Sequence, residues 1–584
     1  MAPDTSNINS LWSSLIVEAL SRHGIARAFV SPGSRSTPLT VAIARHPKMR
    51  PVVHFDERGA AFASIGYARA TGQPAVLVCT SGSAVANYLP ALVEAYQDML
   101  PVIVLTADRP PELQDCGANQ TIAQPGIYSH FVRHETDLSC PDTKVAPEVV
   151  LTEIDRAVAT AITSPAGPVH INCPFREPLT PSDDGHDYRD YLDSIAGWLT
   201  TDTAYTTIPA PEVKPAVTDI HTVAARVAAT ETGIIILGRL ESESDRDQAI
   251  DLSETLGWPI LPDIQSGVRL GQHHPNVIGL YDLLLCSQPL AEELTAGVCL
   301  HLGGRLTSKR LLQWLDRTRP QDYIMVANHP RRHDPNHQVT MWLRAPVAES
   351  CRAIKAKLTP TSDTAWVRSW QRPLEILESK LPELVGDDLT EPAVAYELAR
   401  VIDSSHALWL ASSLPIRLLD SYAPGSGASV PIGANRGASG IDGTIASAVG
   451  FADGLGRPVT LLIGDLAFLH DLNSLALIRQ SDQPITIVLL NNNGGGIFSL
   501  LPIAEHSDVF ERFFTTPHGL SFGAAADQFG LEYRRIDSRT ELTKAYGEAV
   551  VAHTSSIIEV IINREQSIGL MKSIAEAIPK LLSS

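Results

Sequence analysis

Gly464 and Asp465 close the apolar run "VTLLI", and Asn492 follows the next apolar run, "ITIVLL", 27 positions further on (465 to 492). A strand, a glycine, an acid and then a helix put backbone N–H groups and a positive helix end at a sheet edge, where a diphosphate would bind. Asp465 adds a carboxylate suited to Mg²⁺ or Mn²⁺. The glycines of "NNNGGGIF" let the chain turn so that a carbonyl, that of Gly494, faces the same point. Carboxylate, amide oxygen, carbonyl, phosphate oxygens and a water would complete an octahedral site. The bland alternative is an ordinary strand-turn-helix beside an unrelated asparagine-rich turn.

Cations form the second group. Arg35 in "SPGSRSTPL" and Arg417 in "ASSLPIRLLD" both fall near the end of a short apolar run, and Arg109 ("TADRPPEL"), Arg436 ("GANRGASG") and Lys309 ("GGRLTSKR") join them. In a parallel sheet the carboxyl ends of strands are where ligands lie. A guanidinium fork takes a carboxylate through two charge-assisted hydrogen bonds, so several such residues suggest substrates with more carboxylates than pyruvate offers. Each one alone also reads as a surface cation.

The elements that must position these groups follow an α/β alternation. "SLWSSLIVEALSRHG" carries Leu11, Leu15, Ile16, Ala19 and Leu20 on one helical face, and the strand "IARAFV" follows. Strands "PVVHF", "PAVLVC" and "PVIVLT" then alternate with helices, the pattern of a parallel sheet wrapped by helices. The chain also matches itself: "GYARATGQPAVLVCTSGS" lies over "GFADGLGRPVTLLIGDLA", pairing Gly66 with Gly450, Gly72 with Gly456 and Pro74 with Pro458 at one offset. One strand later "PVIVLTAD" lies over "PITIVLLN". Two α/β domains of one topology are expected, at 1–185 and 388–584. Between them we expect a linker at 186–217, a Rossmann-like central domain at 218–360 and a second linker at 361–387. No G-x-G-x-x-G follows a central strand, which disfavours dinucleotide binding there. The fold class is therefore α/β, with three doubly wound domains on parallel sheets.

Composition narrows the partners. At 584 residues the chain exceeds one core, and a formal charge of -19 disfavours nucleic acid or an anionic membrane as a main partner. Seven scattered cysteines without a C-x-x-C pair read as reduced, packed thiols. No run is long enough for a membrane helix, and "MAPDTSNINSLW" lacks a basic and apolar leader, so a cytoplasmic protein with small-molecule substrates is expected.

The Gly-Asp to Asn-Asn spacing resembles the signature of thiamine-diphosphate-dependent enzymes. That resemblance implies thiamine diphosphate and Mg²⁺ (or Mn²⁺) as cofactors. It also implies a carboxylate on a separate domain, hydrogen-bonded to the aminopyrimidine ring. "DERGAAFASIGYARATG" is similar to the segment that carries this group, which points to Glu57, holding or sharing a proton in a largely apolar site. By itself Glu57 also reads as a first-turn acid favourable to its helix dipole. "ASGIDGTIASAVGFA" puts Ile441 where these enzymes place a bulky apolar residue between the cofactor rings, with a plain core residue as the alternative.

"SPGSRSTPLT", "TSGSAVANYLPALVEA", "CGANQTI", "NRGASGIDGTIASA", "GDLAFLHDLNSL", "NNNGGGIFSLLP" and "GGRLTSKRLLQW" further resemble the 2-succinyl-5-enolpyruvyl-6-hydroxy-3-cyclohexene-1-carboxylate synthase family of menaquinone and phylloquinone biosynthesis. Leu466 follows Gly-Asp as in that family, whereas Ala467 stands where many thiamine enzymes have serine or threonine, which removes one hydrogen bond to a diphosphate. The resemblance implies decarboxylation of 2-oxoglutarate and Stetter-like 1,4-addition of the succinyl unit to isochorismate. It implies that Arg417, Arg436 and Ser413 hold the succinyl side. Ser34, Arg35, Arg109, Gln120 and Lys309 would hold isochorismate, and Ile497 and Phe498 would form an apolar wall. It further implies a homodimer or homotetramer with each site shared by two subunits, and a central domain that is structural apart from Lys309. Three rivals stand beside it: a pyruvate-using carboligase of the acetohydroxyacid synthase type, a catalytically silent thiamine-fold protein, and a metal protein built on His329, His333 and His337. Pro330 and Pro335 interrupt that last segment and favour a polar loop.

Overall fold

The run "ITIVLLN" forms a strand, Ile485–Asn491, buried at every residue. Ala75–Cys79, Val102–Asp108 and Gly233–Leu237 are buried throughout as well. Continuous rather than alternating apolar strands are what a sheet covered on both faces requires. The computed structural model describes residues 3–271, 273–361 and 364–583.

Three all-parallel sheets result. The first runs Arg50–Val53, Arg27–Val30, Ala75–Cys79, Val102–Asp108, Pro168–Pro174, His134–Asp137. The third runs Ile432–Ala434, Ala407–Leu410, Val459–Gly464, Ile485–Asn491, Ser556–Ile561, Glu532–Ile536. Both follow one strand order, with the second strand outermost and the last two exchanged. The register agrees too, since Ala75 pairs with Val102 and Val459 with Ile485, the residues that the self-match superposes. The middle sheet runs Met341–Leu343, Asp322–Val326, Val298–Leu302, Gly233–Leu237, Ile260–Pro262.

By compactness the chain divides into two units. One comprises 1–211 with 435–457 and 470–483. Its core lies under the first sheet around Trp12, Leu15, Ile103 and Ile171. The Glu57–Thr71 helix starts on Asp56, whose carboxylate accepts from the N–H of Arg58 at 3.0 Å, and stops at Gly72 in the left-handed conformation. Thr444–Leu455 crosses it at two glycines: a Cβ on Gly66 would lie 1.9 Å from the Ser447 carbonyl, and one on Gly450 1.8 Å from that of Ala63. These are the glycines that the self-match pairs, so each repeat gives one helix to a mutual backbone crossing.

The other unit comprises 212–434, 458–469 and 484–584. One continuous core runs from Ile234 and Ile236 of the middle sheet to Leu410, Leu462 and Val488 of the third. Two segments read as linkers differ from that expectation. Residues 361–387 contain the helix Ala365–Val385, with Val367, Trp370, Leu374, Leu377 and Leu381 buried along one face. Pro373 and Pro382 lie inside it, and burial of that face, about 1.5–3 kcal/mol per large apolar side chain, outweighs the loss at proline. Within 186–217, Tyr188, Ile195 and Trp198 are buried in the first unit's core. Among the described residues no helix is long and apolar enough to cross a membrane.

Candidate active site

The third sheet carries the expected metal-binding residues. Asp465 follows the last residue of its strand, is 2 % exposed, and accepts at Oδ2 from the Gly494 N–H at 2.9 Å and at Oδ1 from the Leu466 N–H at 2.7 Å. His518 Nε2 lies 3.1 Å from Oδ2. Burial raises the Asp465 carboxyl, against the lowering by the Gly494 N–H and by His518.

Each asparagine of "NNNGGG" has its own task. Asn491 Nδ2 donates to Glu559 Oε1 at 2.6 Å and to the Leu520 carbonyl at 3.0 Å. Asn493, at φ +61°, accepts at Oδ1 from the N–H groups of His518 (3.0 Å) and Gly519 (2.8 Å). Between them Asn492 Nδ2 donates to Glu391 Oε1 at 2.7 Å, which turns the amide so that Oδ1 is buried with no hydrogen-bond partner among the described residues. A buried acceptor left open costs about 1–3 kcal/mol, and a cation beside Asp465 would satisfy it. Glu391 is 1 % exposed, and burial pushes its carboxyl up to about 7; the Asn492 N–H lowers it and the charge of Asp465 raises it.

Gly494 sits at φ +132°, and a Cβ there would meet the Thr515 carbonyl at 2.1 Å. It presents its N–H to Asp465, while its carbonyl, expected to face the metal, accepts from the Gly496 N–H at 2.9 Å. Carboxylate and amide oxygens are hard donors that suit Mg²⁺ or Mn²⁺. Among the described residues there is no cluster of three or more His, Cys, Asp or Glu placed to hold a metal, and the His329 and His333 rings meet edge-on with centroids 5.0 Å apart.

The same unit holds a cleft of about 380 Å³ lined by Lys309, Arg417 and Ile497, with Leu414, Leu501 and Lys572. Ser413, at φ +72°, caps the helix Leu414–Tyr422 and accepts at its carbonyl from Arg417 Nη1 at 2.5 Å. Phe498 turns edge-on to Phe514, with ring centroids 5.7 Å apart.

The first unit carries the remaining candidates. Glu57 is half-buried, with Asn87 Nδ2 at 3.4 Å from Oε2. Arg109 bonds Ser81 Oγ through Nη1, which also donates to the Gln120 carbonyl at 3.0 Å, while Gln120 Nε2 donates to the Ser81 carbonyl at 2.8 Å. Burial, then the Arg35 charge, lowers Arg109. Arg35 Nη1 donates to the Phe175 carbonyl at 2.9 Å. Ser34 is exposed, its carbonyl accepting from the Thr37 N–H at 3.1 Å. Arg436 and Ile441 lie on a loop that Glu94 holds, accepting from the Gly437 and Ala438 N–H groups at 2.6 Å each. Sequence reasoning missed Glu391, Ser81, Glu94 and His518. For Ser81 a signal existed: the self-match places it opposite Asp465.

Family comparisons agree with this arrangement. The N-terminal TPP binding domain of thiamine pyrophosphate enzymes matches residues 12–127, their middle domain 189–410 and their C-terminal TPP binding domain 405–560. The fold is thus that of a thiamine pyrophosphate enzyme. A benzoylformate decarboxylase structure from Polynucleobacter necessarius shares the fold at TM-score 0.72 and 16% identity, over 95% of this chain and 98% of its own. Relatives from Rubrobacter xylanophilus (45% identical over 98% of this chain and 99% of theirs) and Salinibacter ruber (45% over 96% and 95%) are both 2-succinyl-5-enolpyruvyl-6-hydroxy-3-cyclohexene-1-carboxylate synthases. The chain belongs to that synthase family.

Proposed function

We propose that this protein is a thiamine-diphosphate-dependent, decarboxylating carbon–carbon bond-forming transferase of menaquinone biosynthesis. It takes 2-oxoglutarate and isochorismate to 2-succinyl-5-enolpyruvyl-6-hydroxy-3-cyclohexene-1-carboxylate and CO₂. The observation that carries the reading is the buried, open Oδ1 of Asn492 in the same unit as the Asp465 carboxylate, in a chain whose relatives are named for that product.

Asp465 and Asn492, with the backbone at Gly464 and Gly494, would hold Mg²⁺ and the diphosphate. Ile441 would support the cofactor rings, and Glu57 would hold a proton at the aminopyrimidine nitrogen. When bound, thiamine diphosphate supplies the carbanion that makes a 2-oxo acid lose CO₂ and turn nucleophilic. The chain's own residues do the rest. Arg417, Arg436 and Ser413 hold the carboxylate of the succinyl side, and Ser34, Arg35, Arg109, Gln120 and Lys309 orient isochorismate by its carboxylates. Ile497 and Phe498 keep water from the reacting carbon. We assign the Glu57 half and the Asp465 half of each site to two copies of the chain, which makes a homodimer the smallest active assembly, with a homotetramer as a pair of such dimers.

The test is turnover with thiamine diphosphate, Mg²⁺, 2-oxoglutarate and isochorismate, omitting each in turn while following isochorismate absorbance and CO₂. Consumption that needs every component is expected. CO₂ released from pyruvate and none from 2-oxoglutarate would overturn the substrate assignment.

A further inference from the structure

We propose that Asp282 is a positioning residue that fixes the separation of Lys309 and Arg417, the cations with which the cleft takes isochorismate and the succinyl side respectively; this rests on the substrate reading above. Lys309 starts the helix Lys309–Thr318, and Arg417 lies on the helix Leu414–Tyr422. The two residues are far apart in sequence, and nothing local sets their spacing.

One carboxylate bonds to both helices. Asp282 is 3 % exposed and accepts at Oδ1 from Ser308 Oγ at 2.6 Å, and at Oδ2 from Arg310 Nη1 at 2.5 Å and from Ser421 Oγ at 2.7 Å. Ser308 and Arg310 bracket Lys309 on either side. Ser308 is also the N-cap of that helix, its Oγ accepting from the Leu311 N–H at 3.0 Å. Ser421 lies four residues beyond Arg417, on the same helical face. The charge of Asp282 is the main cause that raises Arg310. Asp420 ties the second helix elsewhere, accepting at Oδ1 from the Ile264 N–H at 2.9 Å, and does not replace this link.

Lys309 pairs with no carboxylate among the described residues, although it faces the cleft. A cation with no counter-charge of its own is available to a ligand, and its position is then set by its two neighbours in sequence. Both are bonded to Asp282. The geometry therefore makes the carboxylate a gauge between two substrate contacts, with no contact of its own to the substrate.

The experiment compares Asp282→Asn, Lys309→Met and the double variant by KM for each substrate, kcat and melting temperature. Asn keeps size and acceptor but loses the charge. Asp282→Asn should raise the KM that Lys309→Met raises, by about tenfold, with kcat changed less than about twofold. In the Lys309→Met background the same change should have less than about a twofold effect, because residues acting through one contact are not additive. A merely structural role would lower the melting temperature and multiply the two KM effects; that result, or an unchanged KM, overturns the proposal. If Asp282→Asn does not fold, Ser421→Ala removes one arm alone and should raise the same KM about threefold, an unchanged KM again overturning it. If Lys309→Met leaves both KM values unchanged while isochorismate is still consumed, this proposal falls and the reaction stands. If the wild-type protein consumes no isochorismate, the reading beneath it falls as well.

Discussion

The first and third sheets share strand order and register, yet their corresponding strand ends carry opposite charge. The self-match that pairs Gly66 with Gly450 also pairs Ser81 with Asp465, and one strand later Arg109 with Asn492. In the first sheet those two positions make a cationic pair, Arg109 bonded to Ser81. In the third they make a carboxylate and an open amide oxygen, a place for a cation. Glu57 is likewise matched by Ile441, an acid in one copy and an apolar residue in the other. One scaffold thus carries two polarities, a guanidinium at Arg109 in one copy and a carboxylate at Asp465 in the other, while the glycine crossing that holds its helices is present in both.

Substitutions at these positions break the comparison to different degrees. Asp465→Ala should abolish Mg²⁺-dependent binding of thiamine diphosphate and lower turnover at least about 10³-fold, read by cofactor titration and initial rates. Glu57→Gln should lower turnover about 10²–10³-fold while cofactor affinity stays within about threefold, which separates its role from that of Asp465. Unchanged turnover would remove Glu57 from the catalytic role. Glu391→Ala frees the Asn492 amide to rotate and should weaken Mg²⁺ about 10–100-fold, whereas Glu391→Gln, which keeps the acceptor, should cost much less. Arg109→Ala should raise KM for one substrate about tenfold without altering Mg²⁺ affinity, and a changed Mg²⁺ affinity would blur the division between the two sheets.

The repeat, the three sheets and the residues around Asp465 were legible because they depend on short, contiguous signals: apolar runs, a Gly-Asp step and an asparagine at strand end. Contacts across long sequence separations were not. Glu391 reaches Asn492 from the start of the helix Glu391–Val401, and Asp282 reaches Ser421 across the unit, and neither carries a local mark. The helix Ala365–Val385 was hidden by its two prolines, although the spacing of its buried residues is helical. At Gly494 the composition announced the turn, but not that the N–H would face Asp465 and the carbonyl the next turn.

The claim that the two polarities serve one site is tested most directly by complementation. Glu57→Gln and Asp465→Ala chains, each inactive alone, are co-expressed with different affinity tags and purified through both. If Glu57 of one copy works with Asp465 of the other, the mixed assembly regains up to about half of wild-type activity, because one of each pair of sites is intact. A mixed assembly that binds both tags and remains as inactive as either parent would contradict the account.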